Sequence, residues 1–149
     1  MNHARKAFLM LLLLTSTSCS TIQASHMRNA DDSGAHFVFS QLSDGKIHEF
    51  VFELMEPRKI EAARAILRDP GNPRRHVQGT IRPTPVPYNA RWSFHLIPRS
   101  IDFFELQIEV CDANVTYVEA HLDEVGGAFL PQALWCPWSS RIEREVPMR

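Results

Sequence analysis

The sequence lacks a basic stripe. Neutralising nucleic-acid phosphate takes several lysines or arginines along one surface, and Arg74-Arg75 with basic residues scattered elsewhere does not supply one. The chain's 16 basic against 17 acidic groups leave a formal net charge of −1, so nucleic acid is not an expected partner. Catalytic signatures are missing too. No nucleophile elbow surrounds Ser139-Ser140, which suit a turn or cap, and no histidine is tied by pattern to a cysteine. His76, His95, His121, Asp112, Glu119, Asp123 and Glu124 are of metal-ligand type but show no paired zinc spacing. Cysteine is scarce, at three residues, enough for one intramolecular bridge. Long apolar runs are absent apart from Ala7–Leu14, which spans about 12 Å as a helix against a bilayer core of about 30 Å.

That one run has a meaning. Arg5-Lys6, the apolar Ala7–Leu14 and a following stretch of small residues are in the order of a secretory leader, so residues 1–24 are expected to direct export. Two processing routes fit. Thr15-Ser16-Thr17-Ser18-Cys19 resembles a lipoprotein site in which Cys19 becomes the lipidated first residue, although Ser16 stands where leucine is favoured. Otherwise cleavage after Ala24 removes Cys19 and leaves a periplasmic or secreted protein. In the first case acyl chains at ~0.8 kcal/mol per buried methylene anchor the domain to the envelope membrane, and residues 20–35, rich in Ser, Asn, Asp and Gly, form its tether. Losing Arg5 and Lys6 leaves fourteen basic against seventeen acidic groups, a net charge of −3.

Residues 36–149 are enough for one domain, and 44% hydrophobic with 22% charged residues is a globular composition. Residues 36–42 and 47–54 alternate as strands around Ser43-Asp44-Gly45-Lys46, a hairpin turn signal. Phe50, Phe52 and Leu54 share one face, and Glu49, Val51 and Glu53 the other. Pro57 opens a helix whose stripe is Ile60, Ala63, Ile66 and Leu67, stopped by Asp69-Pro70-Gly71. A strand at 76–81 leads to the Pro-rich stretch 82–88, which must be an edge or a stiff loop. Residues 92–96 predict a strand with Trp92, Phe94 and Leu96 inward and His95 on the opposite face. Residues 104–111, apolar at every even position, predict a central strand. Thr116 to Glu119 fits a capping box for a helix over 117–125, ended by Gly126-Gly127, and 141–146 predicts a last strand with Ile142 inward. The expected class is α+β, a mainly antiparallel sheet of about five to six strands with two helices packed on it.

Several stretches carry a family resemblance: Trp92-Ser93-Phe94-His95-Leu96, Glu109-Val110-Cys111-Asp112-Ala113, Tyr117-Val118-Glu119 with His121-Leu122-Asp123-Glu124, Gly126 to Pro131, and Trp135-Cys136-Pro137-Trp138-Ser139-Ser140-Arg141. On these the chain resembles the amino-terminal domain of a cAMP-inducible social-amoeba protein and its small, often exported bacterial relatives. The resemblance implies no catalytic residue, cofactor or ligand.

Export into an oxidising compartment makes Cys111 and Cys136 candidates for a disulfide; a buried thiol pair or two metal thiolates are the other readings. Tyr88, Trp92, Trp135 and Trp138 form a candidate aromatic patch near the Pro-rich loop, rimmed by Arg141, of the composition found at interaction hot spots. Trp92 and Trp135 serve equally as core, which leaves Trp138 the exposed one. His95, Tyr88, Trp138 and Arg141 are thus the binding candidates, for an unknown protein or small molecule. Glu105, Glu109 and Asp112 are solvent-side residues of a strand or an acid–base set. The expected function is a non-catalytic interaction or ligand-binding module without cofactor or metal. The alternatives are a peptidase inhibitor presenting loop 82–88, stiff enough to bind at low entropic cost, and a metal-dependent enzyme in which His121 and Glu124 face one ligand.

Overall fold

A computed structural model describes residues 34–147; the leader, Cys19 and nearly all of the tether lie outside the described residues. Asp44 and Gly45 both take positive φ, 52° and 69°, which is the two-residue turn whose twist matches that of paired strands. It joins β1 (Ala35–Ser43) to β2 (Lys46–Leu54), antiparallel with Phe37 opposite Phe52 and Phe39 opposite Phe50. The period of two sends Phe37, Phe39, Phe50, Phe52 and Leu54 inward, all fully buried. Two helices and seven more strands follow. They are α1 (Pro57–Arg68), β3 (His76–Arg82), β4 (His95–Leu96), β5 (Asp102–Phe104), α2 (Val115–Ala120), β6 (Val125–Gly126), β7 (Phe129–Pro131), β8 (Leu134–Trp135) and β9 (Arg141–Val146).

β9 returns to the hairpin and pairs antiparallel with β1, giving the order β2-β1-β9 with a bulge between Val38 and Phe39. A second sheet is built on β3, which pairs antiparallel with β4, β5 and β8 along successive parts of its length. β6 and β7 form a small parallel pair. One core joins the two larger sheets at Trp135. Its ring centroid lies 5.4 to 5.6 Å from those of Phe39, Phe50 and Phe94, and its Nε1 donates to the Ala113 carbonyl at 2.8 Å. α1 buries Ile60, Ala63 and Ile66, with Leu67 packed alongside. The class is α+β and mainly antiparallel, as the alternation predicts, but the strands are more numerous and shorter than the expected five or six.

Three expectations need correction. Residues 104–111 are not a central strand. β5 ends at Phe104, opposite His76, where β3 begins, so the chain beyond it has no strand to pair with and continues as a loop to a 3-10 turn at Glu109–Cys111. The helix expected over 117–125 starts earlier and stops sooner. Asn114 caps it by accepting from the Tyr117 N–H at 2.7 Å, while Glu119, the expected capping-box partner, accepts instead from the Ser93 N–H and Oγ. Beyond Ala120 the chain turns and Val125 enters β6. In 92–96 only His95–Leu96 is strand, although Trp92, Phe94 and Leu96 are buried as expected.

Cys111 and Cys136 form a disulfide with Cα atoms 5.2 Å apart. The bridge packs with Phe104 and Leu134, and the Cys136 N–H donates to the Cys111 carbonyl at 2.8 Å. It pins the end of the unpaired loop to the strand that carries Trp135.

A candidate binding cleft on the outer face of the first sheet

The parity that buries the phenylalanines of β1 and β2 turns His36, Val38 and Ser40 to the opposite face, with Glu49, Val51 and Glu53 beside them. Register puts Glu53 and Val146 on either side of His36, and Val51 and Arg144 on either side of Val38. Arg144 reaches over β1 to place two guanidinium nitrogens on the two Glu49 carboxylate oxygens, at 2.6 and 2.8 Å. This hydrogen bonding holds the Glu49 carboxyl below its usual pKa.

The far end of the face is partly roofed. Pro87–Asn89 is a 3-10 turn held by Asn89, an amide only 3% exposed. Asn89 accepts from the Val51 N–H at 3.0 Å and donates to the Phe94 carbonyl at 3.3 Å. The turn sets the Tyr88 ring 4.5 Å from the His36 ring, centroid to centroid. Desolvation, helped by the negative charge of Glu53, pushes the Tyr88 hydroxyl up to about 12, so it remains a neutral hydrogen-bonding group. His36, Val51, Pro87, Tyr88, Val146 and Pro147 line a cleft of about 530 Å³, within the roughly 300–1,000 Å³ of small-molecule sites. His36, one of the lining residues, keeps its Nε2 buried without a hydrogen-bond partner, the nearest Glu53 oxygen being 3.8 Å away, beyond hydrogen-bond reach.

The four binding candidates read from the sequence do not converge. Tyr88 lines this cleft. Arg141 borders a separate hollow of about 190 Å³ with Ile66, Leu67, Asp69 and Arg75. Trp138 is exposed beside Asp112, whose Oδ1 accepts from its N–H at 2.9 Å. The His95 Nδ1 meets the Thr84 carbonyl at 2.7 Å and thereby holds the Pro-rich loop, of which Pro83 to Pro85 are exposed. Trp92 and Trp135 are core, so no patch of three tryptophans forms. Among the described residues no group of three or more His, Cys, Asp or Glu is placed to hold a metal ion. His121 stacks on Tyr117 at 3.9 Å and meets that residue's carbonyl. Ser140 is buried, its Oγ accepting from the Val77 N–H at 3.0 Å.

Sequence reasoning missed His36, Val51 and Val146. The alternation already placed Val51 away from the core; that Tyr88 would cover this end of the sheet depends on Asn89, which no local pattern singles out.

Residues 33–149 match the family model described as the BP-74 N-terminal domain, in agreement with the resemblance carried by the 92–141 stretches. No curated protein and no solved structure matches the chain.

Proposed function

The chain belongs to the BP-74 N-terminal domain family, and from that premise we propose that it is an exported, non-catalytic module that binds a small ligand in the cleft at Tyr88. The carrying observation is the cleft itself, about 530 Å³ and lined by His36, Val51, Pro87, Tyr88, Val146 and Pro147. Val51, Pro87, Val146 and Pro147 favour an apolar body. Glu53, with the neutral Tyr88 hydroxyl, favours a hydrogen-bond donor or cation at the polar end. An apolar amine fits this combination.

Export supports the reading in two ways. The leader at residues 1–24 directs the chain out of the cytoplasm, and the Cys111–Cys136 bridge belongs to an oxidising compartment. Lipidation of Cys19 would keep the binding domain at the envelope membrane, whereas cleavage after Ala24 would release it.

Phenethylamine, phenethyl alcohol and hydrocinnamic acid are probes that share one ring and differ only in the polar end. Titrated into the mature chain, the amine is expected to shift the amide signals of Val51, Tyr88 and Val146 most strongly and the acid least. Tyr88→Ala should abolish the shifts, and Glu53→Gln should remove the preference for the amine. Absence of shifts at these residues with all three probes would refute the proposal.

A further inference from the structure

Glu105 to Val110 has the sequence pattern of a strand with an apolar side and a polar side that carries Glu105 and Glu109, yet it lies in a loop that runs into a 3-10 turn, with its apolar residues in solvent. Leu106 is 81%, Ile108 61% and Val110 54% exposed. Isolated exposed apolar residues are ordinary, whereas three within five residues of one loop gather apolar surface in solvent along a short stretch of chain. Trp138 extends it. The Trp138 N–H donates to Asp112 Oδ1, and the Cys111–Cys136 bridge ties the two segments together.

The loop is held in place. β5 fixes its start, the disulfide its end, and the Gln107 side chain donates to Gln78 Oε1 at 2.8 Å midway. Its backbone is nevertheless open, because Leu106 and Gln107 make no backbone–backbone hydrogen bond with another described residue. An anchored, strand-patterned segment with open backbone groups can accept an added strand at reduced ordering cost.

Charge selects the occupant. Glu105, Glu109 and Asp112 are exposed, and none of them forms an ion pair with a described residue. Pairing with a second copy in any register that matches apolar to apolar side chains brings the acidic side of one copy against that of the other, and facing like charges destabilise a strand pair. An anionic lipid surface would be repelled in the same way. We propose that Glu105–Ile108, the stretch between β5 and the 3-10 turn at Glu109–Cys111, is a docking strand for an extended protein segment that alternates basic and apolar residues. The apolar side chains of the partner would cover Leu106 and Ile108, and Val110 at the turn beyond them, while its cations meet Glu105 and Glu109.

The test uses the mature chain with its disulfide intact, and as probe a capped octapeptide of alternating lysine and valine. Its block-ordered isomer and a glutamate–valine octapeptide are the controls. Binding is followed by the fluorescence of Trp138, with Trp138→Phe identifying that signal, and by amide shifts at residues 105–112. The lysine–valine peptide is expected to bind at least tenfold more tightly than either control and to weaken as salt rises. Ile108→Asp should lower its affinity at least tenfold. The double variant Glu105→Lys, Glu109→Lys should transfer preference to the glutamate–valine peptide. All these positions are exposed, and circular dichroism with a urea midpoint checks that each variant stays folded. Equal binding of the block-ordered isomer, or unchanged affinity in Ile108→Asp, would overturn the proposal. So would a dimer, or binding to anionic vesicles, that Ile108→Asp abolishes, since the occupant would then be a second copy or a membrane. Amide shifts at Val51 and Val146 report the cleft separately, so either site can fail without the other.

Discussion

Asn89 shows how one interior amide decides where a binding residue stands. By bonding the Val51 N–H and the Phe94 carbonyl it fixes the turn before it, and so holds Tyr88 over His36. Tyr88 was legible as a candidate because it ends a Pro-rich loop; its partner His36 was not, because a ring contact across 52 residues leaves no local trace. The environment of Tyr88 can be measured. The chain holds two tyrosines, and ultraviolet absorbance at 295 nm is expected to show one phenol ionising near 12, a step that disappears in Tyr88→Phe. The folded value lies above the ordinary phenol value of about 10, so between the two the unfolded chain has lost a proton that the folded chain keeps. Stability should therefore fall as pH rises from about 10 towards 12, and urea midpoints over that range should fall less in Tyr88→Phe.

Among the elements, β9 adds charged side-chain bonds to its backbone ladder with β1. Its inward residue Ile142 is buried, while outside it Arg144 bonds Glu49, Ser40 Oγ donates to Glu143, and Arg64 of α1 bonds both oxygens of Glu145 at 2.7 and 2.9 Å. Hydrogen bonding by Arg64 holds the Glu145 carboxyl below its usual pKa. A depressed carboxylate contributes above the unfolded value and loses its contribution as pH falls through the folded one. Exposed pairs of this kind contribute about 0.2–1 kcal/mol. Glu145→Gln should thus lower stability by about that amount at pH 7, with the difference from the parent vanishing in strong acid and shrinking in 1 M salt, as read from urea midpoints. The segment 105–110 teaches the opposite lesson about elements. Its alternation is as regular as that of β2, yet β2 has β1 to pair with, whereas β3 starts at His76, opposite Phe104, and offers nothing to the residues that follow. Period describes what a segment would bury as a strand, and a neighbour decides whether it becomes one.

For the molecule as a whole, the Cys111–Cys136 bridge closes a loop with a sequence separation of 25 residues, containing α2, β6, β7 and β8. The chain-entropy relation puts its contribution at about 3–4 kcal/mol. Denaturation with and without reductant should show a loss of that size, and Cys111→Ala with Cys136→Ala should reproduce it; a loss below about 1 kcal/mol would contradict the estimate. In cells, thiol trapping after fractionation is expected to find both cysteines blocked and the chain in the envelope or secreted fraction. Intact, leader-bearing, reduced protein in the cytoplasm would contradict export.

By itself the sequence determined what is local. Asp44-Gly45 specifies the turn because both residues tolerate positive φ; the alternation of β1 and β2 specifies which face is buried; the stripe from Ile60 to Leu67 specifies the seat of α1; and a family signature runs through residues 92–141. Tertiary structure alone decided which strands found neighbours, that Trp92 and Trp135 are core while Trp138 is exposed, and that the candidates Tyr88, His95, Trp138 and Arg141 lie apart. The reason is physical. Turn chemistry and periodicity act within a few residues, whereas strand partners, burial and a shared cleft depend on segments brought together from distant parts of the chain.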